Sequence, residues 1–129
     1  MTSYKTIQSS LSSLPSVLPS NLTAVFVGAT SGIGESALLH FARATAAKSP
    51  TIYIVGRNAK ASAPLVAQVR SINPSAQAEF VEKDVSLIQG VDEAVVEIKK
   101  GGLDKIDYLI MSMGYISFNG RHGTSSPAC

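Results

Sequence analysis

The sequence predicts an α/β fold, a doubly wound parallel sheet of about four strands in the order 3-2-1-4, covered by helices. Three observations predict it. Strand-like and helix-like segments alternate through the middle of the chain, and a glycine-rich turn joins the first strand to the first helix. The third is composition: 35 of 129 residues are Leu, Ile, Val or Phe, too many for a chain held open by charge. One domain is expected at this length, burying roughly two thirds of the unfolded surface.

The first strand is expected at Leu22–Val27 (LTAVFV), stopping at Gly28. A helix follows from Gly32 to about Ala46, with Ile33, Ala37, Leu38 and Phe41 as its apolar stripe. His40 falls on or beside that stripe and is expected to be a packed structural residue. Thr51–Val55 (TIYIV) is the second strand, closed by Gly56. The second helix is expected at Ser62–Ile72, with Pro64 in its first turn, where a missing N–H costs nothing. Ala78–Val81 reads as a third short strand, with Glu79 inside it and Glu82 just after it, and nothing marks the two as a paired-carboxylate site. The third helix runs from about Ile88 to Lys100, its apolar face formed by Val91, Ala94, Val95 and Ile98. Asp92 and Glu93 are expected in its first turn, Lys99 and Lys100 in its last, with Gly101-Gly102 as the cap. Ile106–Met111 is the fourth strand.

The ends differ from the middle. Residues 1–20 hold seven Ser, one Lys and no acid, and are expected to be a partly ordered lead-in in which Pro15 and Pro19 break any long helix. The stretch lacks the arginines of a transit peptide and the apolar core of a secretory signal, so a cytoplasmic location is expected. The globular unit is placed at 21–118, and 119–129 is expected to be a disordered tail.

Composition narrows the function classes. No apolar run approaches a membrane span; the longest, around Ala24–Ala29 and Tyr108–Ile110, are strand-sized, so no membrane partner is expected. A net charge of +2 with scattered Lys and Arg argues against nucleic acid. The single cysteine, Cys129, leaves no disulfide framework and no Cys-based zinc site, and His122 has no second ligand nearby.

The most informative segment is Gly28-Ala29-Thr30-Ser31-Gly32-Ile33-Gly34. A dinucleotide pyrophosphate needs a tight turn, a backbone without Cβ at closest approach, and a helix N-terminus aimed at it. The strand, the three glycines and the following helix supply all three. No Gly-Lys-Ser/Thr follows, so this is not a nucleoside-triphosphatase loop. About 22 residues after Gly34, an NAD site presents an acid to the ribose; here stand Gly56 and then Arg57, which suits a 2′-phosphate.

In this spacing GATSGIG resembles the short-chain dehydrogenase/reductase family, in a Rossmann-type fold, and is similar to reductase-like proteins of filamentous fungi. The resemblance covers roughly residues 15–118, the cofactor-binding half of that family. It implies NADP(H) as cofactor, held by Gly28, Thr30, Ser31, Gly32, Ile33, Gly34, Arg57, Asn58, Asp84, Val85 and Gly114. Val55-Gly56-Arg57-Asn58 resembles the end of the second strand in NADP-dependent members, and Asp84-Val85-Ser86 the motif that contacts adenine. Met111-Ser112-Met113-Gly114 stands where the family usually has Asn-Asn-Ala-Gly.

The family's chemistry uses a Tyr with a Lys four residues on, so that the Tyr exchanges a proton near neutrality. Tyr4, Tyr53, Tyr108 and Tyr115 are followed at that spacing by Gln8, Arg57, Ser112 and Asn119. No catalytic residue is therefore assigned, and the catalytic half is expected to be missing. The leading expectation is an oxidoreductase using NADP(H) on a carbonyl or alcohol, taking a small-molecule substrate only in a longer form. The alternative is a non-catalytic NADP-binding module or pseudoenzyme, self-associating through the exposed edge of its unfinished sheet. A sugar-nucleotide epimerase fits the loop and Arg57 less well. Fungal relatives of this kind often serve secondary metabolism, which is an implication of the resemblance alone.

Overall fold

The computed structural model describes residues 2–113. Its elements are α1 (Tyr4–Val17), β1 (Thr23–Val27), α2 (Gly32–Ala44), β2 (Thr51–Gly56), α3 (Ala59–Ile72), β3 (Gln77–Glu82), α4 (Ile88–Lys100) and β4 (Tyr108–Met111). The strands form one parallel sheet in the order β3-β2-β1-β4, a Rossmann-type arrangement. Register runs from Thr23 opposite Thr51 to Val27 opposite Val55, and from Ala24 opposite Tyr108 to Val27 opposite Met111. On the far side, Thr51 pairs with Gln77 and Gly56 with Glu82.

Successive strand residues face opposite sides, so one sheet feeds two cores. On one side Ala24, Phe26, Ile52 and Ile54 meet Leu38 and Ala42 of α2 and Leu65, Val66 and Val69 of α3. On the other, Val25, Val27, Tyr53, Val55 and Val81 meet Ala94 and Ile98 of α4. All five β1 residues are buried, as a strand covered on both faces requires. A polar clasp closes the far end of the first core: buried Asn73 donates through Nδ2 to the carbonyls of Ala42 (3.2 Å) and Thr45 (3.0 Å). Its Oδ1 accepts from the Ser75 hydroxyl at 2.7 Å, so α3 ends tied to the end of α2.

Several local expectations are corrected. Pro15 does not prevent a helix: α1 runs through it, with Ser3 capping the Thr6 N–H at 3.3 Å. The missing N–H at Pro15 deprives only the Leu11 carbonyl, and the chain stops at Leu18, which Pro19 holds extended at ψ 134°. α3 begins at Ala59 because Asn58 Oδ1 accepts from the Ala61 N–H at 3.0 Å, which places Pro64 beyond the first turn.

In α2 the buried line is Gly34, Leu38 and Ala42; Ile33 is 84% exposed and His40 is exposed. Gly34 must face the end of β1, and that contact fixes the rotation of the whole helix. In α4 the first turn is Ile88–Val91, so Asp92 and Glu93 lie one turn further in, where Glu93 pairs with Lys83 at 3.2 Å. Val91 and Val95 are 40% and 44% exposed, leaving Ala94 and Ile98 as the buried pair. β4 starts at Tyr108, because Asp107 is spent holding β1: its Oδ2 accepts from the Thr23 N–H and its own N–H donates to the Thr23 carbonyl, both at 2.8 Å. Gly114, Tyr115, His122, Cys129 and the expected tail 119–129 lie outside the described residues.

Candidate functional site

In a parallel sheet all strands end on the same side, and the order β3-β2-β1-β4 reverses direction between β1 and β4. Ligands of such sheets sit outside that switch point. Every described candidate residue stands there: Gly28–Gly34 follow β1, Arg57 and Asn58 follow β2, Asp84 and Val85 follow β3, and Ser112 and Met113 follow β4.

Backbone bonds lock these loops together. The Gly28 N–H donates to the Val55 carbonyl at 3.3 Å, Ser112 N–H to Val27 at 2.9 Å, and Lys83 N–H to Gly56 at 2.8 Å. Gly28 has φ +78°, and a Cβ there would stand 2.9 Å from the Met113 nitrogen and the Ser112 carbonyl. The chain leaving β4 therefore crosses directly over the first glycine. A Cβ on Gly34 would lie 2.8 Å from the Gly28 carbonyl oxygen and 2.9 Å from Ala29 Cα, so α2 seats backbone to backbone on the loop. Gly32 differs from both. It has φ +63°, and nothing stands within 4 Å of where its Cβ would be.

The helix that starts there is open at its N-terminus. Ser3 and Asn58 cap α1 and α3 through their side chains, whereas Ser31, at the same position of α2, makes no such bond. The first-turn N–H groups of α2 thus face an exposed loop of Thr30, Ser31 and Gly32 with their positive dipole end uncovered. Ile33 flanks them, exposed.

Charge is arranged beside this. Arg57 is exposed immediately after β2, and Asp84 is exposed on the neighbouring turn. Asp84 Oδ1 accepts from the Ser86 hydroxyl at 2.6 Å and the Ser86 N–H at 3.0 Å. Those bonds, chiefly the hydroxyl's, hold its carboxyl below the ordinary carboxylate range, and the Arg57 charge adds to the effect. Val85 is half-buried against the α4 core and anchors the turn. Asn58 serves here as the helix cap of α3.

Ser86 enters the sequence pattern only as part of a motif, and Gly90 carries no expectation there. In the structure Gly90 of α4 lies on the Asp84 carbonyl, too close for any Cβ. The available signal was a glycine inside a helical pattern, which costs stability and so needs a packing reason. Tyr53, the one tyrosine with a cation four residues on, is not at the site. It is buried in the α4 core with its hydroxyl against Gly101, and burial, then the Glu79 charge, pushes its pKa up. Among the described residues no group of three His, Cys, Asp or Glu is placed to hold a metal, and no helix is long and apolar enough to cross a membrane.

Comparison with known proteins agrees with this geometry. Residues 22–127 match the short chain dehydrogenase family. The chain is 44% identical over 124 residues to the oxidoreductase AN1596 of Emericella nidulans, covering 96% of this chain and 36% of that protein. It is 46% identical over 109 residues to the NmrA-like family domain-containing oxidoreductase notO of an Aspergillus species, covering 83% of this chain and 32% of that one. Among solved structures, the L-sorbose reductase of Gluconobacter frateurii, complexed with NADPH and L-sorbose, superposes with a TM-score of 0.64 at 28% identity. That match covers 76% of this chain and 35% of the reductase. The chain therefore spans about a third of the length of these relatives. On its fold, its glycine loop and these matches, the chain belongs to the short-chain dehydrogenase family.

Proposed function

We propose that these residues are the NADP(H)-binding half of an oxidoreductase that moves hydride between the cofactor and a carbonyl or alcohol substrate. The observation that carries the reading is the uncapped first turn of α2 behind Gly32, with Arg57 beside it. An anionic diphosphate suits the free N–H groups of a helix N-terminus, and the open space over Gly32 leaves room for it. Arg57 suits a 2′-phosphate through charge-assisted hydrogen bonds, which an acid at this position would oppose. Thr30, Ser31, Ile33 and Asn58 line the approach, and Asp84 and Val85 take the adenine side; Gly114, outside the described residues, is kept in the proposed set from the sequence motif alone. The sorbose reductase binds NADPH in its crystal structure, which supports the choice of cofactor.

When bound, the nicotinamide supplies the hydride donor or acceptor. These residues span about a third of the relatives' length, and we assign proton transfer to none of them. The cytoplasm is the proposed location.

The outer edge of the described sheet supports one more element of the proposal, self-association. β4 is an outer strand of the described sheet, and its Tyr108, Leu109 and Met111 are 42%, 57% and 58% exposed. Exposed apolar strand edges pair with other chains.

Titration of the chain with NADPH and NADH tests the cofactor reading. Arg57→Ala is expected to weaken NADPH binding by about tenfold or more while changing NADH by less than about twofold. An equal loss for both cofactors would contradict the role given to Arg57.

A further inference from the structure

α1 (Tyr4–Val17) is a 14-residue helix that buries none of its residues. Its apolar side chains nevertheless fall in a line. Tyr4, Ile7, Leu11 and Leu14 stand three, four and three residues apart, and Leu18 follows at four, so all five share an arc of roughly 100°. Tyr4, Ile7 and Leu11 are exposed, and Leu14 and Leu18 are half-buried. Helices this short are marginal in water and are held by the packing of an amphipathic face. Five of the 14 residues are serine, a weak helix former, so α1 needs such cover more than most. Among the described residues nothing supplies it.

The opposite face narrows the partner. Thr6, Gln8, Ser9, Ser12, Ser13 and Ser16 lie on it, and Lys5 is the only charged side chain in the helix. The hydroxyls of Ser12, Ser13 and Ser16 turn back and donate to the carbonyls of Ser9, Ser10 and Ser13 at 2.8, 2.8 and 2.7 Å. Ser3 caps the first turn, and the Leu18 N–H closes the last on the Leu14 carbonyl at 3.0 Å. The polar groups are thus satisfied within the helix, and only the apolar stripe is left unmatched. A second copy would need flanking charges to set register, and two heptads are too few for a coiled coil. An anionic membrane calls for clustered Lys and Arg, which α1 lacks. A neutral, loosely packed lipid surface needs neither. It takes apolar side chains into the acyl boundary and leaves small hydroxyls among the headgroups.

We propose that α1 is a membrane-surface anchor that lies on neutral, loosely packed bilayers with Tyr4, Ile7, Leu11 and Leu14 inserted. Fourteen residues are too few to span a bilayer, so the helix lies along it. α1 leads into the start of β1, whereas the loops that carry Gly28–Gly34, Arg57 and Asp84 follow the strand ends. Seated on lipid, α1 leaves those loops open.

Flotation of the 129-residue chain with vesicles of dioleoylphosphatidylcholine tests this. Small, highly curved vesicles should carry more of the chain than large ones of the same lipid, because curvature opens the headgroup layer. Added phosphatidylserine, or salt at about 0.5 M, should change the bound fraction by less than about twofold. Leu11→Glu should weaken vesicle binding by about tenfold or more and leave the urea midpoint unchanged. If that variant does not fold, Tyr4→Glu decides, because an acid in the first turn favours the helix while removing one end of the stripe. No binding to small vesicles, or binding that requires phosphatidylserine, would overturn the proposal. So would folded glutamate variants that bind as the unmodified chain does. A lowered urea midpoint for Leu11→Glu would put α1 against its own domain, and loss of self-association in that variant would put a second copy on the stripe. Either result overturns the lipid assignment.

Discussion

Single side chains at the margins of the sheet decide how well it holds. Asp107 joins β4 to β1 by accepting from the Thr23 N–H, and that bond, helped by Lys105, keeps its carboxyl below the ordinary value of about 3.8. The unfolded chain then binds the proton first as pH falls. The stability this group contributes is complete above about 3.8 and is lost as pH falls through the lower folded value. Asp107→Asn is therefore expected to give a shallower loss of stability between about pH 5 and pH 3, read from urea midpoints. An unchanged slope would show that the bond contributes nothing to acid sensitivity. At this scale the sequence was only partly legible. Gly28, Gly32 and Gly34 announced their roles, because few arrangements other than a tight loop before a helix use three glycines so spaced. Asn73, Asp107 and Gly90 did not, since each acts on a residue far away in sequence or on a backbone atom that no pattern encodes.

At the level of elements, the alternation of strands and helices was readable because β1 and β2 are short apolar runs that end at Gly28 and Gly56, and helical periodicity resumes after each. The rotations of helices were not. Periodicity places Ile33, Val91 and Val95 on apolar faces, yet the close seating of Gly34 on the loop turns Ile33 outward. α4 turns only Ala94 and Ile98 fully into the core. Pro15 misled for a related reason, since a proline near the end of a helix forfeits one bond and no more. The two amphipathic helices α1 and α2 now make opposite predictions. Leu38 of α2 is fully buried in the first core, so Leu38→Ala should cost about 2–5 kcal/mol in urea unfolding. α1 buries no residue, and Leu11→Ala should change stability by less than about 0.5 kcal/mol. A comparable loss from both would mean that α1 packs on the domain.

For the molecule as a whole, fold class and strand order follow from the sequence because right-handed crossovers leave few ways to join four parallel strands. What the β4 side meets does not follow. Ile106, Leu109 and Met111 form an apolar margin about half exposed, and size-exclusion chromatography with light scattering should show association that rises with concentration. Leu109→Lys should reduce it, and a strictly monomeric chain would remove self-association from the proposal. The central claim concerns the other end of the same strands, where four loops converge on one helix N-terminus and one arginine. Fluorescence titration of the 129-residue chain with NADPH and then NADH tests it most directly. Saturable binding, tighter for NADPH by about tenfold, is the expected result; no saturable binding, or an affinity for NADH as high as for NADPH, would contradict it.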